Sequence, residues 1–243
     1  MNLQLCSPYR KCPFNCPMCI AATDDGEINN VFNLYENNRA EYFYKLAKAI
    51  QGKDTVVITG DTEPTLFPEW ISNVLKFLQI IGYEGKIELQ TKNYCLSSYC
   101  HEWYNLDLNL IAYSATCAKD LEKIFSFNLA KESYCRTRLV VLLTEDTIDY
   151  LYKTPVKELK KFAEITFKVL QTPEREAEAN YVKEHNSFDK KKLNAIIEFV
   201  QLHSSKFSIR IDENCMDATD RYERCVKSLG SQLLALPVWQ SEI

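Results

Sequence analysis

The sequence predicts an α/β fold with parallel strands and crossover helices. Strand patterns alternate with helical ones from residue 2 to residue 212. Several of the strands carry polar residues at every second position, and no internal repeat or clear linker interrupts the alternation.

The elements follow in order. NLQLC (2–6) reads as the first strand, and a polar stretch (21–39) rich in Asn and Asp comes after it. Residues 40–50 have helical spacing, with Tyr42, Leu46, Ala47 and Ile50 on one face. DTVVIT (54–59) is a strand, and PEWISNVLKFLQII (68–81) a helix with Pro68 in its first turn. KIELQT (86–91), LNLIAYS (108–114), TRLVVLLT (137–144), ITFKVL (165–170) and FSIRID (207–212) supply the later strands. Helices are expected at 97–104, 118–127, 156–163 and 191–203, with a last one at 220–230. A polar loop, 171–187, stands before the fourth of these and is expected to act as a lid. About six strand–helix units and one extra strand fall short of the eight in a full barrel.

The chain has 243 residues, 46% hydrophobic and 26% charged, which suits one domain over 1–243. Its core is expected over about 2–212, with a short carboxyl-terminal strand/helix extension over 213–243. Only 6 Gly and 8 Pro argue against low complexity. A net charge of −4 gives no electrostatic reason to expect nucleic acid. No apolar run has the length of a signal peptide or a membrane span, so a cytoplasmic protein without a membrane partner is expected. The 10 cysteines then read as reduced thiols or metal ligands.

Strand alternation suggests a polar interior. Glu88 and Gln90 alternate with Ile87 and Leu89, Lys168 sits between Phe167 and Val169, and Ser208, Arg210 and Asp212 alternate with apolar neighbours. If the apolar set faces the helices, Lys168, Arg210 and Asp212 line a cavity for a polar ligand.

Cys12, Cys16 and Cys19 stand in CPFNCPMC, spaced C-x3-C-x2-C. A structural zinc site wants four ligands, usually as two close pairs, and no second pair stands elsewhere. An electron-transfer [4Fe–4S] cluster also wants four cysteines. Three thiolates leave one iron uncovered, and an uncovered metal can bind a small molecule.

The spacing resembles the signature of the radical S-adenosylmethionine (radical SAM) superfamily, found in the loop after the first strand of a partial (β/α)6 TIM-like barrel. A second segment strengthens the resemblance. GDTEPTLFPEW, after the second strand, is similar to the family's Gly-Gly-Glu-Pro-like segment: Gly60, Glu63, Pro64, Thr65 and Leu66 match, while Asp61-Thr62 make it one residue longer. LQTKN, AYSAT and TRLVVLLT resemble the family's third-, fourth- and fifth-strand segments more weakly.

The resemblance implies a [4Fe–4S] cluster on Cys12, Cys16 and Cys19, with SAM completing it. It implies that Met18 lies along the adenine, and that Gly60, Asp61, Thr62 and Glu63 meet the SAM ammonium. Gln90, Ser114 and Arg138 are the remaining implied cofactor contacts. The activity implied is that of an oxidoreductase-type radical enzyme, fed by an external electron donor such as flavodoxin or ferredoxin. Its adenosyl radical would take hydrogen from a small-molecule or peptide substrate. A glycyl-radical enzyme and a nucleotide or RNA are alternative substrates. Cys215 is a candidate hydrogen-atom donor.

Bottom-up alternatives stand beside these. Asp or Thr before Pro64 also suits a helix cap. Cys6, Cys95, Cys100, Cys117 and Cys135 read as small apolar residues, and His101, His185 and His203 lack ligand-spaced partners. A non-catalytic iron–sulfur carrier or sensor is the other class of function, disfavoured by Glu63-Pro64, for which a carrier has no use.

Overall fold

The computed structural model describes residues 2–8, 11–19, 34–60, 62–94, 96–126, 135–168, 170, 176–203 and 208–211. Asp61, Asp212, Cys215 and the expected helix at 220–230 lie outside them, as does Cys95. The fold is α/β. The strands are β1 (Asn2–Cys6), β2 (Thr55–Thr59), β3 (Lys86–Thr91), β4 (Leu110–Ala115), β5 (Arg136–Leu142), β6 (Glu164–Lys168) and β7 (Ser208–Ile211). The helices are α1 (Leu34–Asn37), α2 (Arg39–Ala49), α3 (Pro68–Ile80), α4 (Ser97–Asn105), α5 (Ala118–Ser126), α6 (Glu145–Lys153), α7 (Val156–Leu159), α8 (Glu176–His185) and α9 (Lys190–His203). Pro64–Leu66 form a 3-10 turn.

One domain is the expectation from sequence, but contacts divide the chain into two compact units. The first holds the described residues within Met1–Asn15 and Ala21–Ile111; the second holds those within Cys16–Ile20 and Ala112–Ser231. The boundary falls inside β4.

In the first unit β1, β2 and β3 are parallel neighbours in chain order. Register puts Leu3, Val56 and Ile87 on one face, followed by Leu5, Ile58 and Leu89. All six are essentially inaccessible. Gln4 and Glu88 share the opposite face with the apolar Val57, so in these rows the polar residues keep to one face while apolar residues occur on both. In α3, Trp70, Ile71, Val74, Leu75 and Leu78 are buried at helical spacing. The two buried indoles of this unit keep their N–H groups satisfied, Trp70 donating to the Tyr42 hydroxyl at 3.0 Å and Trp103 to Ser72 Oγ at 3.0 Å.

In the second unit β5, β6 and β7 are parallel and again in chain order. Leu139, Ile165 and Ile209 lie in one row of one face, and Val141, Phe167 and Ile211 in the next. The other face carries Arg138 and Glu164, then Thr166 beside Arg210, then Lys168.

Among the described residues three helices escape the sequence reading, the short α1 within the polar stretch being one. Helix α6 follows β5 directly and opens on a capping box, in which the Thr144 and Thr147 side chains each accept from the other's backbone. Helix α8 replaces most of the expected lid loop at 171–187. Its sequence, EAEANYVKEH, is rich in helix formers but has little apolar periodicity to reveal it. The expected helix at 156–163 shortens to α7.

Candidate active site

The cysteine loop leaves the carboxyl end of β1. Ser7 N–H donates to the Thr59 carbonyl at 2.9 Å, which extends the β1–β2 pairing by one residue. Two Pro-led turns then follow, at Pro13–Phe14 and Pro17–Met18. The second is closed by Cys19 N–H on the Cys16 carbonyl at 3.0 Å. Asn15, at φ 44°, takes the left-handed conformation that Asn tolerates well. Cys12, Cys16 and Cys19 are half-buried and unbridged. The unit boundary separates Cys12 from Cys16 and Cys19. Among the described residues no group of three His, Cys, Asp or Glu side chains stands ready to hold a metal. By chemistry the donor set suits an iron–sulfur cluster: three thiols without a disulfide within eight residues of sequence.

Within the second unit Met18 is 6% exposed and packs with Leu170 and Val182, against which Cys16, Leu142 and Tyr181 also lie. This packing anchors the second turn of the cysteine loop.

The Gly60–Glu63 segment belongs to the first unit. A Cβ at Gly60 would lie 2.4 Å from Ser7 Oγ, so a larger residue there requires the Ser7 hydroxyl to leave its present rotamer. That hydroxyl is buried and has no hydrogen-bond partner among the described residues. Thr62 and Glu63 are both buried. The Glu63 carboxylate is held by four donors. Oε1 accepts from Thr65 N at 3.1 Å, Thr65 Oγ1 at 2.7 Å and Thr91 Oγ1 at 2.6 Å, and Oε2 accepts from Lys92 N at 2.9 Å. Asn93 supports two of these groups, its N–H donating to Thr91 Oγ1 and its Nδ2 to Thr65 Oγ1. Glu63 therefore caps the 3-10 turn and also binds it to the end of β3. Gln90 Nε2 donates to Glu88 Oε1 at 3.0 Å on the polar face of β3.

In the second unit Ser114 is half-buried between the buried Tyr113 and Ala115. Arg138 stands near the amino end of β5. Its Nε and Nη2 reach Glu164 Oε2 at 2.8 and 2.6 Å, and Arg136 Nη2 reaches Oε1 at 3.2 Å. Both partners of the main pair are buried. Ligands of parallel α/β sheets gather at the carboxyl ends of the strands. Arg138 lies at the other end with its guanidinium engaged by Glu164.

Lys168 ends β6, half-buried, with no carboxylate in ion-pair reach among the described residues. Thr166, one row below it, has a buried hydroxyl with no hydrogen-bond partner among the described residues. Register sets the backbone of Arg210 beside Thr166. Ser7, Thr91 and Thr166 escape the sequence reading. For Thr166 the signal was present, since it is a hydroxyl in phase with Lys168 on β6, whereas Thr91 follows the apolar phase of Ile87 and Leu89, which hid it.

No protein-family model matches this chain, and no curated protein matches it. Among the described residues no helix is long and apolar enough to cross a membrane.

Proposed function

We propose that the chain is a radical SAM enzyme built on a partial (β/α)6 barrel. The observation that carries the reading is the set Cys12, Cys16 and Cys19, unbridged and partly accessible in the loop that follows the first of a series of parallel strands. In this reading the three thiolates hold a [4Fe–4S] cluster. With SAM bound, that cluster supplies reductive cleavage of a sulfonium and a carbon radical able to take a hydrogen atom.

The protein's own residues position and enclose. Ser7 couples the start of the cysteine loop to β2 through its N–H and to Gly60 through close packing. Glu63 holds the segment after β2 in one conformation through its four donors. Its part in meeting an ammonium group is then to fix the neighbouring backbone, whose carbonyls accept such bonds. Lys168, at a strand's carboxyl end, offers a cation for a polar substrate group.

Anaerobic reconstitution with iron and sulfide tests the reading. The expected result is about four irons per chain and formation of 5′-deoxyadenosine from SAM under dithionite. Both should be lost in Cys16→Ala. A Cys16→Ala protein that keeps its full iron content would overturn it.

A further inference from the structure

One groove lies wholly in the second unit. It has a volume of about 1150 Å³ and begins at Thr116 and Thr144, just past the carboxyl ends of β4 and β5. That is the end of a parallel sheet where ligands bind. The volume exceeds the roughly 300–1,000 Å³ usual for a small-molecule pocket.

Its walls are strongly acidic. Six carboxylates line it against one ammonium, that of Lys153. Three of the six are engaged within the protein. Asp149 pairs with Lys192 at 2.6 Å, Glu158 pairs with Lys161, and Asp146 accepts the Ala118 N–H at 2.9 Å. Glu122, Glu145 and Glu184 are exposed and have no ion-pair partner among the described residues. The field they set up is felt by Tyr150, whose phenol is pushed above its usual range by burial and then by Glu122 and Glu158.

Aromatic faces stand among the carboxylates. Phe125 and Tyr150 stack at 6.1 Å between centroids, and Tyr181 and His185 at 3.9 Å. Carboxylates interleaved with rings suit ammonium and guanidinium groups carried on apolar stems, by ion pairing and by cation–π contact. Tyr181 also packs against the cluster that contains Met18 and Cys16, so one groove wall is continuous with the cysteine loop.

We propose that this groove binds a peptide segment bearing lysine or arginine side chains. Its size and the spread of its carboxylates over 122–184 favour a chain over a compact amine, and its charge repels nucleic acid. That the bound peptide is the enzyme's substrate rests on the reading above; the binding itself does not.

The test uses the full chain and a fluorescein-labelled heptapeptide, Lys-Leu-Lys-Leu-Lys-Leu-Lys, read by fluorescence anisotropy at low salt. The peptide should bind, and the Glu122→Gln/Glu145→Gln/Glu184→Gln variant should bind it at least tenfold more weakly. A matched variant elsewhere, Glu69→Gln/Glu84→Gln/Glu102→Gln, makes the same charge change on exposed residues and should bind as the unmodified protein does. The proposal is overturned if the peptide does not bind, if both variants weaken it equally, or if spermine competes as strongly as the unlabelled peptide. Iron content measured on the same preparations keeps the two questions apart. Peptide binding without a reconstitutable cluster would remove the enzyme reading and leave the groove, and a cluster without peptide binding would do the reverse.

Discussion

The Thr91 hydroxyl donates to Glu63 Oε1 at 2.6 Å and so joins the carboxyl end of β3 to the segment that follows β2. Three further donors complete the set around that carboxylate, and none of the four is a cation. A buried charge satisfied by neutral donors holds its surroundings in one geometry, because each donor is lost if the segment moves.

Replacing Glu63 by Gln should therefore destabilise the fold. The amide keeps one oxygen, which can serve the three donors at Oε1, and turns its NH2 toward the Lys92 N–H. One unmade buried hydrogen bond costs about 1–3 kcal/mol, and the melting temperature should fall by several degrees. An unchanged melting temperature would show that the network contributes no stability.

Gly60→Ala should be destabilising, and Ser7→Ala should rescue it. The added methyl meets Ser7 Oγ at 2.4 Å, whereas the next atom, Ser7 N, is 3.2 Å away. Overpacking of this kind costs about 1–3 kcal/mol. Urea midpoints of the two single variants and the double variant measure the coupling, which should return more than half of the loss. Simple additivity would mean that the clash is relieved elsewhere.

Arg138→Met should cost about 3–5 kcal/mol, because it leaves Glu164 buried without its main partner. Arg136→Met, whose side chain is 62% exposed, should cost under about 1 kcal/mol. The double variant Arg138→Met/Glu164→Leu should be more stable than Arg138→Met alone. Chemical unfolding separates the three, and a fully tolerated Arg138→Met would remove the structural role assigned to it.

Lys168→Met should do the opposite. An ammonium with no carboxylate in reach is not stabilising, so the variant should unfold at the same or a slightly higher urea concentration. It should still form the cluster and cleave SAM slowly, and it should lose the acceleration that a substrate gives. A loss of more than about 1 kcal/mol would instead point to a structural part for Lys168.

What the sequence revealed and what it hid have separate physical causes. The strands were legible because a strand's side chains alternate, and the sorting of Leu3, Leu5, Val56 and Ile58 from Gln4 and Thr59 is written in that period. Helix α8 was not legible, because its stability does not come from an apolar stripe. The Glu63 segment could be read as a cap, but the donors Thr91 and Lys92 N–H arrive from another strand, and register is invisible until the strands are paired. The partner of Arg138 was hidden for a related reason. Its position at the strand's amino end, opposite Glu164, is a property of the pairing.

The pairing of β1 with β2 also sets an order of events during synthesis. Ser7 and all of β1 find their backbone partners on residues 55–59, which the ribosome adds only after the entire intervening stretch. At about 5–20 residues per second that interval lasts several seconds. Through it, the three thiols trail from a strand that has nothing to pair with. In the proposed reading, cluster loading that depends on the folded loop waits for the second strand, and a reducing environment keeps the thiols unbridged until then.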